Sequence, residues 1–298
     1  MIAVQRLRSA LPLAVLCAVL AGVLVAGCSA DAEKTPAEEI AAPTLRYVAL
    51  GDSYSAAPAV PSPKGSDGCL RSTHNYPSLV AEKLEPDTFL DVTCAGADTT
   101  DMTRPQYPEV KAQLDAVSVD TDVVTLGLGG NDFNVFFTLV RQCSFVRSEN
   151  ATGAPCRQAM NATGKDKLLT SIAATRGRMV GVVRQIEQSA PEARILLVGY
   201  PQIVPAKGTC PDLLPLADGD YAYGRLVNKV LTEMLAEVAR ATETTYVDLW
   251  SVTAGHDICA KDPWINGQLH DPKRAAPYHP FAAEQKAAAE QVLAALES

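Results

Sequence analysis

The stretch LRYVALGDSYS at residues 45–55 sets an apolar run, Leu45 to Leu50, directly against glycine, aspartate and serine. A run of this length bounded by turn residues reads as a buried strand. Four more follow, at Thr88 to Thr93, Asp122 to Leu128, Arg194 to Gly199 and Thr244 to Leu249. Between them apolar residues recur at helical spacing. The clearest cases are Asp166 to Gln188, through Leu168, Ile172, Met179, Val183 and Ile186, and Tyr221 to Ala241, through Leu231, Leu235 and Val238. An alanine-rich helix is predicted over Ala282 to Leu296. Strands alternating with helices imply an α/β protein with a mainly parallel sheet covered on both faces. Tyr54 to His74, Phe145 to Gly164 and Pro201 to Gly219 read as long connections, the places where sites are built on a rigid sheet.

In an open parallel sheet ligands bind beyond the carboxyl ends of the strands, so the residues after each strand carry the functional reading. Gly51-Asp52-Ser53 follows the first and can hold the Ser53 hydroxyl at the sheet edge, although Gly, Asp and Ser are also ordinary turn residues. Cys94-Ala95-Gly96-Ala97-Asp98 follows the second and Gly129-Gly130-Asn131-Asp132 the third, each able to point N–H groups at the same edge. Asp132 reads mainly as an N-cap for a helix starting near Phe133. Tyr278-His279-Pro280 immediately precedes the last helix, placing His279 in a loop at its entrance. Serine, glycine, asparagine and histidine in this order supply a nucleophile, two oxyanion donors and a base, the parts that acyl transfer needs.

Four blocks, GDSYS at 51–55, CAGADTTDM at 94–102, LGLGGND at 126–132, and DPWINGQLH at 262–270 followed by YHPFAAEQ at 278–285, resemble the SGNH (GDSL) hydrolases, specifically their secreted actinobacterial esterase and lipase branch. The resemblance spans residues 47–285. It implies a three-layer α/β/α sandwich with about five parallel strands, the flavodoxin-like SGNH hydrolase fold. It also implies that Ser53 attacks the carbonyl while the N–H groups of Ser53 and Gly96 and the side chain of Asn131 hold the oxyanion, with His279 as base. Asp52 positions the turn and is not read as a proton carrier. Trp264, Phe133, Phe136 and Phe137 flank the blocks as core residues or acyl-pocket lining.

One position departs from the family pattern. An aspartate usually stands three residues before the histidine, and here that residue is Ala276. In this branch a backbone carbonyl can take over the aspartate's hydrogen bond, so the expected orienter is the Ala276 carbonyl. Asp271 is the runner-up and Asp262 a third choice, although Asp262-Pro263 and Asp271-Pro272 also read as turn starts. A carbonyl fixes the tautomer but carries no full negative charge, so it stabilises imidazolium less than a carboxylate does.

Upstream of the folded part, residues 1–27 carry Arg6 and Arg8, an apolar run from Leu11 to Val25, and Ala26-Gly27 before Cys28. They read as a lipoprotein signal peptide ending in a lipobox, with Cys28 taking the lipid. The run of about 15 residues is short for the roughly 20 that span a bilayer. Residues 28–43, rich in Ala, Glu, Asp, Pro and Thr and without aromatics, read as a disordered tether, leaving 44–298 as the hydrolase domain. Removing Arg6 and Arg8 with the leader leaves 24 basic against 34 acidic residues, a formal charge of −10, which argues against a nucleic-acid partner. The expected location is the outer face of a bacterial, actinobacterial cell membrane. Asn-x-Thr sequons at Asn150 and Asn161 carry little meaning in a bacterium.

Cys17 leaves with the leader and Cys28 with the lipid. Cys69, Cys94, Cys143, Cys156, Cys210 and Cys259 remain, an even number in an exported chain and hence a disulfide framework. Fifteen pairings are open to six cysteines. Chain neighbours, 69 with 94, 143 with 156 and 210 with 259, would staple loops locally and form the preferred set, which the branch resemblance also implies. Zinc is the rival reading, but no CxxC occurs.

These readings predict a monomeric carboxylic ester hydrolase, without cofactor or metal, acting on lipid or fatty acyl esters. Three alternatives stand beside it: a cell-wall carbohydrate O-deacetylase using the same four residues, a non-catalytic ligand-binding surface lipoprotein, and a metal-dependent hydrolase built on His270, Asp271 and His279.

Overall fold

The computed structural model describes residues 44–298; the leader, the tether and Cys28 lie outside them. The described residues form seven strands: β1 (Arg46–Gly51), β2 (Pro63–Lys64), β3 (Arg71–Ser72), β4 (Thr88–Asp91), β5 (Val123–Gly127), β6 (Arg194–Val198) and β7 (Thr245–Val247). Strands β2 and β3 pair as a short antiparallel ribbon. The other five form one parallel sheet in the order β4-β1-β5-β6-β7. The helices are α1 (Ser53–Ala56), α2 (Tyr76–Leu84), α3 (Val135–Phe137), α4 (Cys143–Glu149), α5 (Pro155–Met160), α6 (Lys167–Ser189), α7 (Asp220–Thr242), α8 (Leu249–Val252) and α9 (Ala282–Glu297).

Alternation along the strands sends side chains to opposite faces. Val48, Leu50, Val124, Leu126 and Leu197 meet α6 and α7 through Ile172, Met179, Val183, Val227, Leu231 and Leu235. Tyr47, Ala49, Val123, Leu196 and Val198 meet α2 and α9 through Tyr76, Val80, Ala288, Ala289 and Val292. The result is the expected three-layer α/β/α sandwich. Each large side chain buried this way contributes about 1.5–3 kcal/mol before the entropy of ordering it.

Differences from the sequence reading have local causes. Strand β4 stops at Asp91, two residues early, because its carboxylate turns back to accept from the Thr93 N–H (3.2 Å) and hydroxyl (2.7 Å). Strand β7 stops at Val247 because Asp248 caps α8, accepting from the Ser251 N–H at 3.2 Å. The supposed loop at 145–164 holds the end of α4 and all of α5, which starts on Pro155. Asp166 caps α6 through the Leu169 N–H at 3.0 Å. Bonded sulfur pairs join Cys69 to Cys94, Cys143 to Cys156 and Cys210 to Cys259.

Candidate active site

The Gly51-Asp52-Ser53 turn is built from β1 into α1. Gly51 (φ +153) is obligatory there, since a Cβ would lie 2.4 Å from Ser55 Oγ and 2.6 Å from the Gly127 carbonyl. Buried Gln113 pairs with both polar groups of Gly51: its Oε1 accepts from the Gly51 N–H at 2.8 Å and its Nε2 donates to the Gly51 carbonyl at 3.0 Å. Asp52 caps α1, Oδ1 accepting from the Tyr54 N–H at 2.9 Å, and Ser53 becomes the first helical residue.

Gly96 follows β4 on a loop held by the Cys69–Cys94 bridge and by the bond from the Ala95 N–H to the Cys69 carbonyl (2.9 Å). Asn131 follows β5. Its Nδ2 donates to the Ala97 carbonyl at 3.0 Å, which uses one amide hydrogen and leaves the second for a ligand. Asp132 does not cap a helix as expected. Its carboxylate accepts from the Thr99 N–H (3.1 Å) and hydroxyl (2.5 Å) and from Arg178 (3.1 Å), tying the Asn131 loop to the Gly96 loop. Phe133 and Asn134 sit in the left-handed region beside Asn131, as Tyr278 does beside His279. Side chains in that region are uncommon and cluster at functional sites.

His279 lies in the loop before α9. The orienting group differs from the sequence expectation: Nδ1 lies 2.7 Å from the carbonyl of Pro277, not from that of Ala276. The Ala276 carbonyl is already engaged by the His279 N–H (3.2 Å) and by Asn266 Nδ2 (3.1 Å), a tight turn that brings the next carbonyl under the ring. Asp271 is spent on its own turn, accepting from the Lys273 N–H at 3.0 Å, and Asp262 lies exposed beside His256. A carbonyl can only accept, so Nδ1 carries the proton and Nε2 is left as the basic nitrogen. Burial pushes the His279 pKa below its ordinary 6.5, against the raising effect of the Pro277 hydrogen bond.

Ser53, Gly96, Asn131 and His279 all line one cleft of about 460 Å³. Its walls are otherwise mostly apolar, from Leu70, Ala95, Phe136, Phe137, Val140 and Pro277, with Arg141 and Tyr278 also lining it. Of the flanking aromatics, Phe136 and Phe137 line the cleft, Phe133 lies under the Arg178 guanidinium, and Trp264 stacks on His256. His270 and Asp271 are not among the cleft residues, so the three proposed metal ligands are not gathered in it.

Sequence reading passed over three buried residues that hold these parts together: Gln113, Tyr200 and Gln285. The hydroxyl of Tyr200 donates to Asp52 Oδ2 at 2.5 Å and accepts from the Gly130 N–H at 2.8 Å. Gln285 Nε2 donates to the Tyr54 carbonyl at 3.0 Å. Only Tyr200 left a usable signal, since it stands two residues past the end of β6 in Gly199-Tyr200-Pro201, at the same edge as the motifs.

The chain also has relatives among known proteins. The sequence model of the GDSL-like Lipase/Acylhydrolase family matches residues 49–283. Lipase 2 of Streptomyces coelicolor is 38% identical over 280 residues, covering 91% of this chain and 92% of its own. Among solved structures, phospholipase A1 from Streptomyces albidoflavus superposes with a TM-score of 0.67 at 28% identity, over 85% of this chain and 98% of that one. The extracellular lipase from Streptomyces rimosus gives 0.64 at 26% identity, over 85% and 99%.

Proposed function

Because the chain belongs to the GDSL-like lipase/acylhydrolase family and is a carboxylic ester hydrolase, we propose that its ester bond is cleaved by Ser53 with His279 as the general base. The carrying observation is that Ser53, Gly96, Asn131 and His279, from four separate segments, line one cleft. Ser53 Oγ attacks the carbonyl carbon and its proton passes to Nε2 of His279. The carbonyl oxygen takes the negative charge and is held by the N–H groups of Ser53 and Gly96 and by the free amide hydrogen of Asn131. The C–O bond then breaks, the alcohol leaves with the proton from His279, and water, activated by the same nitrogen, releases the acid from Ser53. The Pro277 carbonyl holds the ring in the needed tautomer throughout.

The substrate is a fatty acyl ester, in preference to an acetylated sugar. The support is the chemistry of the cleft wall: Leu70, Phe136, Phe137 and Val140 offer an acyl chain an apolar surface and offer a sugar few hydrogen-bond partners. Cys28 carries a lipid that anchors the mature protein to the membrane. The support is the Val25-Ala26-Gly27-Cys28 sequence and the polar segment after it; among the described residues no helix is long and apolar enough to cross a membrane.

A series of nitrophenyl esters of increasing acyl length tests the substrate class. Activity is expected to persist or rise beyond acetate, and a sharp fall beyond acetate would favour the deacetylase. Ser53→Ala and His279→Ala are each expected to lower kcat by several orders of magnitude in folded protein, with the double variant little worse than either. Retention of activity by Ser53→Ala would remove the covalent mechanism.

A further inference from the structure

Asn131 can act on an oxyanion only if it is held at a fixed distance from Ser53, and the two lie on different strand ends. The peptide after Asn131 is fixed by Asp132 on Thr99 and Arg178. Before it, the Gly130 carbonyl accepts from the Phe136 N–H at 3.0 Å, and the Gly130 N–H donates to the Tyr200 hydroxyl at 2.8 Å. That same hydroxyl donates to Asp52, the residue before Ser53, at 2.5 Å, and the other oxygen of Asp52 receives the Tyr54 N–H at 2.9 Å. One phenol oxygen therefore bridges the neighbour of the nucleophile and the neighbour of the oxyanion donor.

The surroundings fit a bridge of fixed length. Tyr200 is 1% exposed, and its ring stands edge-on to Phe136 (centroids 5.0 Å apart) and to Tyr54 (5.3 Å). Gly130 has no room for a side chain, because a Cβ would fall 2.1 Å from Phe136 and 3.0 Å from the Tyr200 oxygen. Asp52 is fully buried and has no cation beside it among the described residues. Hydrogen bonds to a buried carboxyl in such a site are worth more than exposed ones and cost more to lose.

We infer that Tyr200 is a positioning residue, whose hydroxyl sets the spacing between the Ser53 nucleophile and the Asn131 oxyanion donor through Asp52 and the Gly130 N–H; the inference rests on Asn131 holding the oxyanion. It touches no reacting atom. Its effect falls on the transition state, where the oxyanion carries full charge, and hardly on the bound ester.

Tyr200→Phe keeps the packing and removes the bridge, and Asp52→Asn replaces the acceptor facing Tyr200 with an amide. Removing an oxyanion donor itself costs about 10²–10³ in kcat, so loosening one should cost roughly tenfold to a hundredfold. The expected result for each folded variant is that loss in kcat with KM within about twofold, and a double variant close to the worse single because both act as one unit. The rate of inactivation by a phosphonate ester, which forms a tetrahedral adduct on serine, should fall in parallel. A kcat for Tyr200→Phe within about twofold of wild type, a loss that appears in KM, or single effects that multiply in the double variant would each overturn the inference. If Tyr200→Phe does not fold, the kcat, KM and phosphonate readings on Asp52→Asn decide by the same criteria. Ser53→Ala separates the two readings: its activity tests the mechanism, whereas an inactive Ser53→Ala with an unimpaired Tyr200→Phe sinks the positioning role alone.

Discussion

In the proposed mechanism His279 must be neutral to accept the serine proton, and its burial holds the pKa below 6.5 while the Pro277 carbonyl pulls it back. Since the base works when unprotonated, activity is lost as pH falls through that pKa. The acidic limb of kcat/KM, which reports the free enzyme, is therefore expected below pH 6.5; a midpoint above it would contradict the buried-base description. Asp271 provides a second check. Its carboxylate serves the Lys273 N–H in its own turn, so Asp271→Asn should lower turnover by less than about tenfold, whereas loss of a triad aspartate costs on the order of 10⁴. A loss near the larger figure at unchanged thermal stability would make Asp271 the orienter.

At the scale of elements, the entrance of α9 ties the histidine loop to α1, alongside the Tyr54 hydroxyl, which donates to the Tyr278 carbonyl at 2.7 Å. Gln285, in the first turn of α9, donates to the Tyr54 carbonyl and accepts from the Tyr76 N–H at 2.7 Å, clamping α9 to α1 and α2. Beside it Glu284 is buried, and that burial raises its pKa from 4.5 to about 8. A carboxyl whose folded pKa is raised binds its proton more tightly in the native state, so its contribution to stability is whole below 4.5 and is lost as pH rises through about 8. Glu284→Gln keeps shape and cannot ionise. Its melting temperature relative to wild type should climb as pH is raised across that window, and a difference that stays constant would show that Glu284 does not titrate there.

For the whole molecule, three bridges spanning 25, 13 and 49 residues staple the connecting segments, Cys69–Cys94 and Cys210–Cys259 joining loop to loop and Cys143–Cys156 joining α4 to α5. Under the chain-entropy model bridges of this kind contribute about 2–4 kcal/mol each. The Cys69–Cys94 bridge also holds the Gly96 loop, so the framework serves the cleft as well as the fold. Anchoring is tested on the full chain. With Cys28 lipidated, Cys28→Ser should move the protein from the membrane fraction to the soluble exported fraction without changing its specific activity; retention through the same wash would refute the anchor.

Much of this molecule was legible in its sequence because the relevant signals are local. Strands read from runs such as Leu45 to Leu50, and helices from the spacing of Ile172, Met179 and Ile186, since hydrophobic period follows directly from backbone geometry. The motif residues Ser53, Gly96, Asn131 and His279 were legible as well, each standing just after a strand or before a helix. The tertiary structure alone decided that the Pro277 carbonyl, not that of Ala276, meets the imidazole, because one turn's hydrogen bonds had already engaged the neighbouring oxygen. It alone decided the partners of Gln113, Tyr200 and Gln285, which lie 62, 148 and 231 residues away. A buried polar group must find a partner wherever packing supplies one, and no local pattern encodes which distant peptide that will be.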